Sequence, residues 1–253
     1  MKNLKEKISL SLIATFIFGS IAANSAELSE QNLDRYVEKA MSVFDVPGIA
    51  VGIIKDGQIA HLKGYGVRDI ATHAPVTADT LYAIASNSKA FTATALAILV
   101  DEGILDWDDK VIDYIPNFRL MDAWVTREFT IRDLLTHRSG MGLGAGDLMF
   151  WPTTEVSREE IIENVRHLKM VSGFRTEYAY DNLLYVVAGE VVAAASGISY
   201  EQFVQTRIMN QLNIGGGCFA DITGIDNQDD VAEPHVMVDG KLQKAGRLYE
   251  PGE

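Results

Sequence analysis

A chain of 253 residues with 22 Lys and Arg against 35 Asp and Glu carries a formal net charge of -13, which argues against nucleic acid as a partner. Its single cysteine, Cys218, excludes an internal disulfide and, beside Phe219, reads as a small buried apolar residue rather than a nucleophile.

Residues 1–26 carry Lys2, Lys5 and Lys7, then an apolar run over 8–23, then the small residues Ala23, Ser25 and Ala26. This is the pattern of a secretory signal peptide cleaved after Ser25 or Ala26. Ser9, Ser11, Thr15 and Ser20 make the run shorter and more polar than a span of ~20 residues requires. No nearby cysteine offers a lipid site and no second run is long enough to span. The expectation is an exported protein without a stable membrane anchor, secreted or, in a Gram-negative cell, periplasmic.

Residues 27–253 suffice for one large domain or two intimate ones. Residues 32–44 read as an amphipathic helix with Leu33, Val37, Ala40, Met41 and Phe44 on one face, ended by Pro47-Gly48. Residues 49–54, the turn Lys55-Asp56-Gly57 and residues 58–65 then make a hairpin, Asp-Gly being a good tight-turn pair. After Gly66 no comparably strong strand pair follows. From Leu81 to Gly197 the pattern is mainly helical, with helices over 86–102, 130–136, 157–168 and 183–195, and a further short one over 200–210. Residues 236–243 offer another hairpin around Asp239-Gly240. The reading is an α+β protein: 27–80 supplies a helix and hairpin of a sheet subdomain, 81–214 a helical subdomain, and 215–253 returns toward the sheet. A hairpin is marginal by itself, and Pro251-Gly252 is a turn signal at the end of the sequence. The chain is therefore expected to be the N-terminal portion of a longer protein, its sheet incomplete.

The chemistry is placed at Ser86 and Lys89, three apart at the start of a long apolar helix. That spacing puts the Lys89 amine over the Ser86 hydroxyl. The helix start also offers unpaired N–H groups and the positive end of the dipole to a developing oxyanion. From Ala90 to Val100 there is almost no polar face, which predicts burial on nearly all sides. A buried lysine is costly without a partner. The bland alternative is that Ser86 only caps the helix while Lys89 snorkels to water.

Tyr180 and Asn182, two apart before the apolar run 183–192, can point the same way. A phenol near a lysine can act as base or acid, and an Asn amide can hold both a lysine and a substrate carbonyl. Alternatively Asp181 or Asn182 caps the next helix and Tyr180 belongs to the core.

Ser86-x-x-Lys89, Tyr180-x-Asn182 about ninety residues later, and Leu134-Leu-Thr-His137-Arg-Ser139-Gly140 between them together resemble the serine β-lactamase and penicillin-binding-protein superfamily. The nearest branch is that of class C β-lactamases and esterase-like serine hydrolases. The resemblance also takes in the hairpin to Gly66, residues 106–116 and residues 200–214. It implies the β-lactamase/transpeptidase-like fold, an antiparallel sheet flanked by helices plus a mainly helical subdomain. It further implies that Ser86 is acylated, with its backbone N–H as one half of an oxyanion hole. Lys89 and Tyr180 would shuttle the proton, and Asn182 would bind the acyl group. One departure stands out. The family's third motif, Lys-Thr-Gly or His-x-Gly, has no match after Asn182, since neither His235-Val-Met nor Lys244-Ala-Gly246 fits.

Other signals lead elsewhere. Gly140, Gly142, Gly144 and Gly146 do not follow a strand, so they read as a flexible loop rather than a dinucleotide cradle. No Gly-x-Ser-x-Gly elbow occurs. His61, His73, His137, His167 and His235 lack metal-ligand spacing, and His137 reads as a structural hydrogen bonder. Phe150-Trp151-Pro152 suits either a substrate mouth or packing, and Asp229-Asp230 a solvated loop. The resulting expectation is a serine hydrolase without metal or cofactor. Its substrate would be a small molecule or peptidoglycan-like: a β-lactam, a D-amino-acid peptide or a small ester. The competing class is a sensor or binder that is acylated without turnover, or an inactive relative.

Overall fold

The computed structural model describes residues 29–151, 156–214, 225 and 228–246. The expected signal peptide, Pro152, Cys218 and Phe219 lie outside these. The chain opens with helix α1 (Glu30–Phe44), capped by the Ser29 hydroxyl, which accepts from Asn32 N. Strands β1 (Gly48–Lys55) and β2 (Gln58–Asp69) form the expected hairpin. Asp56 and Gly57 both take positive φ, 51° and 74°, the geometry of a tight turn whose twist matches that of the strands. β2 runs further than its hydrophobic pattern suggests, because its far end pairs with a short β3 (Ala74–Pro75) to give the order β1-β2-β3. A Cβ on Gly64 would meet the Val76 carbonyl oxygen at 2.2 Å, so glycine there permits the close approach.

One face of the hairpin carries Ile49, Val51, Ile53, His61, Lys63 and Tyr65, as the register dictates. It meets α1 through polar pins. The Tyr65 hydroxyl donates to Asp34 at 2.6 Å, Lys63 Nζ reaches the other carboxylate oxygen at 2.9 Å, and His61 Nε2 lies 2.8 Å from the Tyr65 hydroxyl. The predicted apolar face of α1 is only partly used. Leu33, Val37 and Met41 are half-buried, while Ala40 and Phe44 are exposed, because the hairpin covers only part of that face.

The helical half contains α2 (Ser88–Asp101), α3 (Val111–Tyr114), α4 (Ala123–Glu128), α5 (Ile131–Leu135), α6 (Arg158–Asn164), α7 (Leu183–Ser196) and α8 (Tyr200–Val204), which continues as a π-helical stretch Gln205–Met209. The short α3 and α4, four and six residues long, are not among the helices expected from the sequence. At its centre is α7, whose Leu183, Leu184, Val187, Ala188, Val191 and Val192 are fully buried. It packs against α2 and α5 in one core with Phe118, Phe129, Ile131, Leu134 and Met141. Helix α2 is not buried on nearly all sides as expected. Thr92, Ala95, Leu96 and Leu99 form its buried stripe, whereas Ala90 and Thr94 are exposed. The stripe faces α7 and α8, and no described element covers the opposite side.

Hairpin β4 (His235–Val238) and β5 (Lys241–Lys244) closes on Asp239-Gly240 as predicted. Ahead of it, Asp230 is not a solvated loop residue. Its carboxylate accepts from Thr77 and Thr80 hydroxyls at 2.7 Å each and pairs with Arg68 at 3.3 Å. Its carbonyl accepts from Leu81 N at 2.8 Å. This clamp ties the chain down just before the Ser86 segment.

Candidate active site

From the clamp at Leu81 the backbone enters a 3-10 turn, Ala85–Asn87, which leads into α2. Ala85 sits at φ 44°, a left-handed conformation that a residue with a Cβ adopts only at a cost of about 1–2 kcal/mol. The strain therefore lies immediately before Ser86. Ser86 lies on this turn, two residues ahead of α2, and its side chain does not cap the helix; Lys89 Nζ donates to its Oγ at 3.2 Å. Lys89 does not snorkel to water. Its Nζ also donates to Asn182 Oδ1 at 2.7 Å, and it sits 4.7 Å above the Tyr180 ring and 5.2 Å above that of Tyr185. The four residues singled out in the sequence thus meet at one place, across 93 residues of chain.

Both alternatives for the 180–182 stretch contain part of the answer. Asp181 is the residue that caps α7, its Oδ1 accepting from Leu184 N at 3.3 Å. Asn182 occupies the N-cap position without a side-chain cap bond, which leaves its amide to the site. Tyr180 is half-buried. Burial raises its pKa, but hydrogen bonding to Lys89 and then to Ser86 outweighs this, so the phenol titrates below its ordinary 10.0. A phenol so placed exchanges protons with the serine more readily than an isolated one.

The stretch 134–147 grips this side of the site. His137 O accepts from Ala179 N at 2.8 Å, His137 Nδ1 accepts from Asp181 N at 3.1 Å, and Gly144 N donates to Tyr180 O at 2.9 Å. The His137 ring stacks on Tyr180 with centroids 4.3 Å apart. Burial, then the nearby Lys89 charge, holds His137 below its ordinary 6.5, so it stays neutral and its Nδ1 remains an acceptor. The expected structural hydrogen bond of His137 is present, and the ring also buttresses the tyrosine. In the glycine run, two positions are constrained by backbone geometry. Gly140 (φ 93°) and Gly146 (φ 78°) need left-handed backbone, and a Cβ there would strike Met170 Cε at 2.6 Å and Leu183 Cδ1 at 2.4 Å. The left-handed backbone at these two positions favours glycine and sets the path of the loop.

That path delivers a residue that sequence reading missed. Asn182 Nδ2 lies 3.1 Å from both carboxylate oxygens of Asp147. Asp147 is the only carboxylate in the glycine-rich stretch, but nothing in its spacing links it to a residue 35 positions later. Tyr185, whose hydroxyl donates to Leu135 O at 3.0 Å, likewise carries no sequence signal beyond its place in the apolar run. Among the described residues no group of three metal-ligating side chains occurs.

The chain and its fold have counterparts among known proteins. A family model described as Beta-lactamase matches residues 33–216. The unguisins hydrolase ungD' of Aspergillus campestris (strain IBT 28561) is 31% identical over 238 residues, covering 90% of this chain and 42% of that protein. The octameric penicillin-binding protein homologue from Pyrococcus abyssi superposes with a TM-score of 0.76 at 29% identity, over 87% of this chain and 51% of that one. A class C beta lactamase from Rhodobacter sphaeroides gives 0.59 at 27% identity, over 71% and 48%. The fold is β-lactamase/transpeptidase-like, and the chain spans about half or less of these relatives' length.

Proposed function

The chain belongs to the beta-lactamase family, a family of serine hydrolases, and from this premise we propose that it supplies the nucleophilic half of a site cleaving an ester or amide through an acyl-Ser86 intermediate. The observation that carries the reading is the continuous hydrogen-bonded chain from Ser86 to Lys89 to Asn182, with Tyr180 held against it. In acylation, Ser86 Oγ bonds to the acyl carbon and its proton passes to the Tyr180 and Lys89 pair. The oxyanion forms beside the start of α2, where the dipole and the Ser86 N–H favour it. Collapse breaks the bond to the leaving group, which takes the proton back from Tyr180. Water then attacks the acyl carbon, and the acid leaves as Ser86 regains its proton. No cofactor enters this scheme. The substrate classes that suit it are a β-lactam, a D-amino-acid peptide of cell-wall type and a small ester.

The test uses the full-length protein. A serine-directed phosphonate is expected to add to Ser86, located by intact mass and peptide mapping, and Ser86→Ala to abolish both labelling and ester turnover. An adduct elsewhere, or equal labelling of the variant, sinks the assignment. A chromogenic ester that acylates Ser86 but is never released would support the sensor reading over the hydrolase.

A further inference from the structure

Asn182 is expected to hold a substrate carbonyl, yet its amide is taken at both ends. Oδ1 receives Lys89, and Nδ2 faces both oxygens of Asp147. The group that this wall offers an incoming acyl compound is the carboxylate. An ionised carboxylate accepts about four hydrogen bonds; Asn182 occupies one position on each oxygen, and among the described residues no Lys, Arg or His forms an ion pair with Asp147. A wall with a free amide N–H would recognise a carbonyl. This wall presents acceptors and negative charge, and it recognises an N–H donor, best a charged one.

The surroundings extend the argument. Asp147 is half-buried, so its charge is less screened than at an open surface. The same loop leaves Leu143 78% and Leu148 83% exposed, and exposed Tyr178 stands edge-on to His137, 5.5 Å between centroids. Exposed apolar side chains thus share the loop with the carboxylate. Resting on the serine-hydrolase reading, we propose that Asp147 binds a substrate ammonium, so that the preferred substrate is an ester or amide of an apolar amino acid with a free amine, rather than its N-acylated form.

The experiment compares D- and L-phenylalanine p-nitroanilide, their N-acetyl counterparts and p-nitrophenyl butyrate on the full-length protein. The free-amine anilide is expected to exceed the N-acetyl form at least ~10-fold in kcat/KM, the worth of a hydrogen bond between charged groups. The preference should fade as pH rises through about 8, where an α-ammonium loses its proton. Asp147→Asn is expected to cut the ratio ~10- to 100-fold, and Asp147→Glu to restore part of it. A wild-type preference for the N-acetyl form, or a ratio unmoved in Asp147→Asn, overturns the proposal. The wild-type ratio stands whether or not the variants fold. Turnover of p-nitrophenyl butyrate with Ser86 labelling, combined with an N-acetyl preference, defeats this inference alone. Absence of both in the wild type defeats the hydrolase reading and this inference with it.

Discussion

The helical and sheet halves of the molecule are held together by different means. In the helical half, Phe118, Phe129, Ile131, Leu134, Leu183 and Leu184 are wholly buried in one core. In the sheet half, α1 has no buried residue, Ile54 and Phe44 are each 75% exposed, and the element contacts run through Asp34, Tyr65, His61 and Lys63. The difference teaches where precision comes from. Lys89, Tyr180 and Asn182 stand on or beside α2 and α7, the two helices that share the dense core, so their positions are set by close packing. The hairpin of the sheet half keeps its register through its turn and its pins, with little apolar burial behind it.

The largest expected effect lies inside the site and leaves both halves intact. Lys89→Ala should lower kcat ~100- to 10,000-fold while the urea midpoint stays close to wild type; near-normal turnover would place the proton transfer elsewhere. Next comes the packing contrast itself. Phe129→Ala, emptying a site between Phe118 and Phe174, should cost about 3–5 kcal/mol, whereas Ile59→Ala on the exposed hairpin face should stay within about 0.5 kcal/mol. Equal costs by urea titration would erase the distinction between the halves.

Two carboxylates, one in each half, should also respond to acid with opposite sign. Burial raises the Asp181 carboxyl from 3.8 to about 6, against the lowering effect of the Leu184 and Leu183 N–H groups. Its Oδ2 has no donor in bonding geometry. The folded state then binds the proton more tightly than the unfolded one, so this group's stability contribution is full below about pH 4 and is lost as pH rises through about 6. Asp181→Asn should flatten that fall by up to about 3 kcal/mol. Asp34 runs the other way. Hydrogen bonds from Tyr65 and then Lys63 hold its carboxyl below 3.8, so its contribution is present above that value and disappears as pH falls through the lower folded pKa. Asp34→Asn should change the stability profile only at the acid end, and by less than Asp181→Asn. Parallel pH profiles for the two variants would contradict this assignment of signs.

Local signals were enough for much of the architecture. Asp56-Gly57 dictates the first hairpin and Asp239-Gly240 the last, because few other pairs adopt two positive φ values cheaply. Apolar periodicity, runs and start signals located α1, α2, α5, α6, α7 and α8. The spacings Ser86-x-x-Lys89 and Tyr180-x-Asn182 marked the residues that meet in the site. Only the tertiary structure decided that Asp181 caps α7 and so releases Asn182, that His137 stacks on Tyr180, that Asp230 anchors the approach to Ser86, and that Asp147 takes up the Asn182 amide. Each of these is a contact between segments tens of residues apart in the chain, or a choice between neighbouring side chains that only the packed partner settles. A one-dimensional pattern encodes period and turn chemistry; it does not encode which distant carboxylate, ring or hydroxyl a fixed backbone path brings within 3 Å or so.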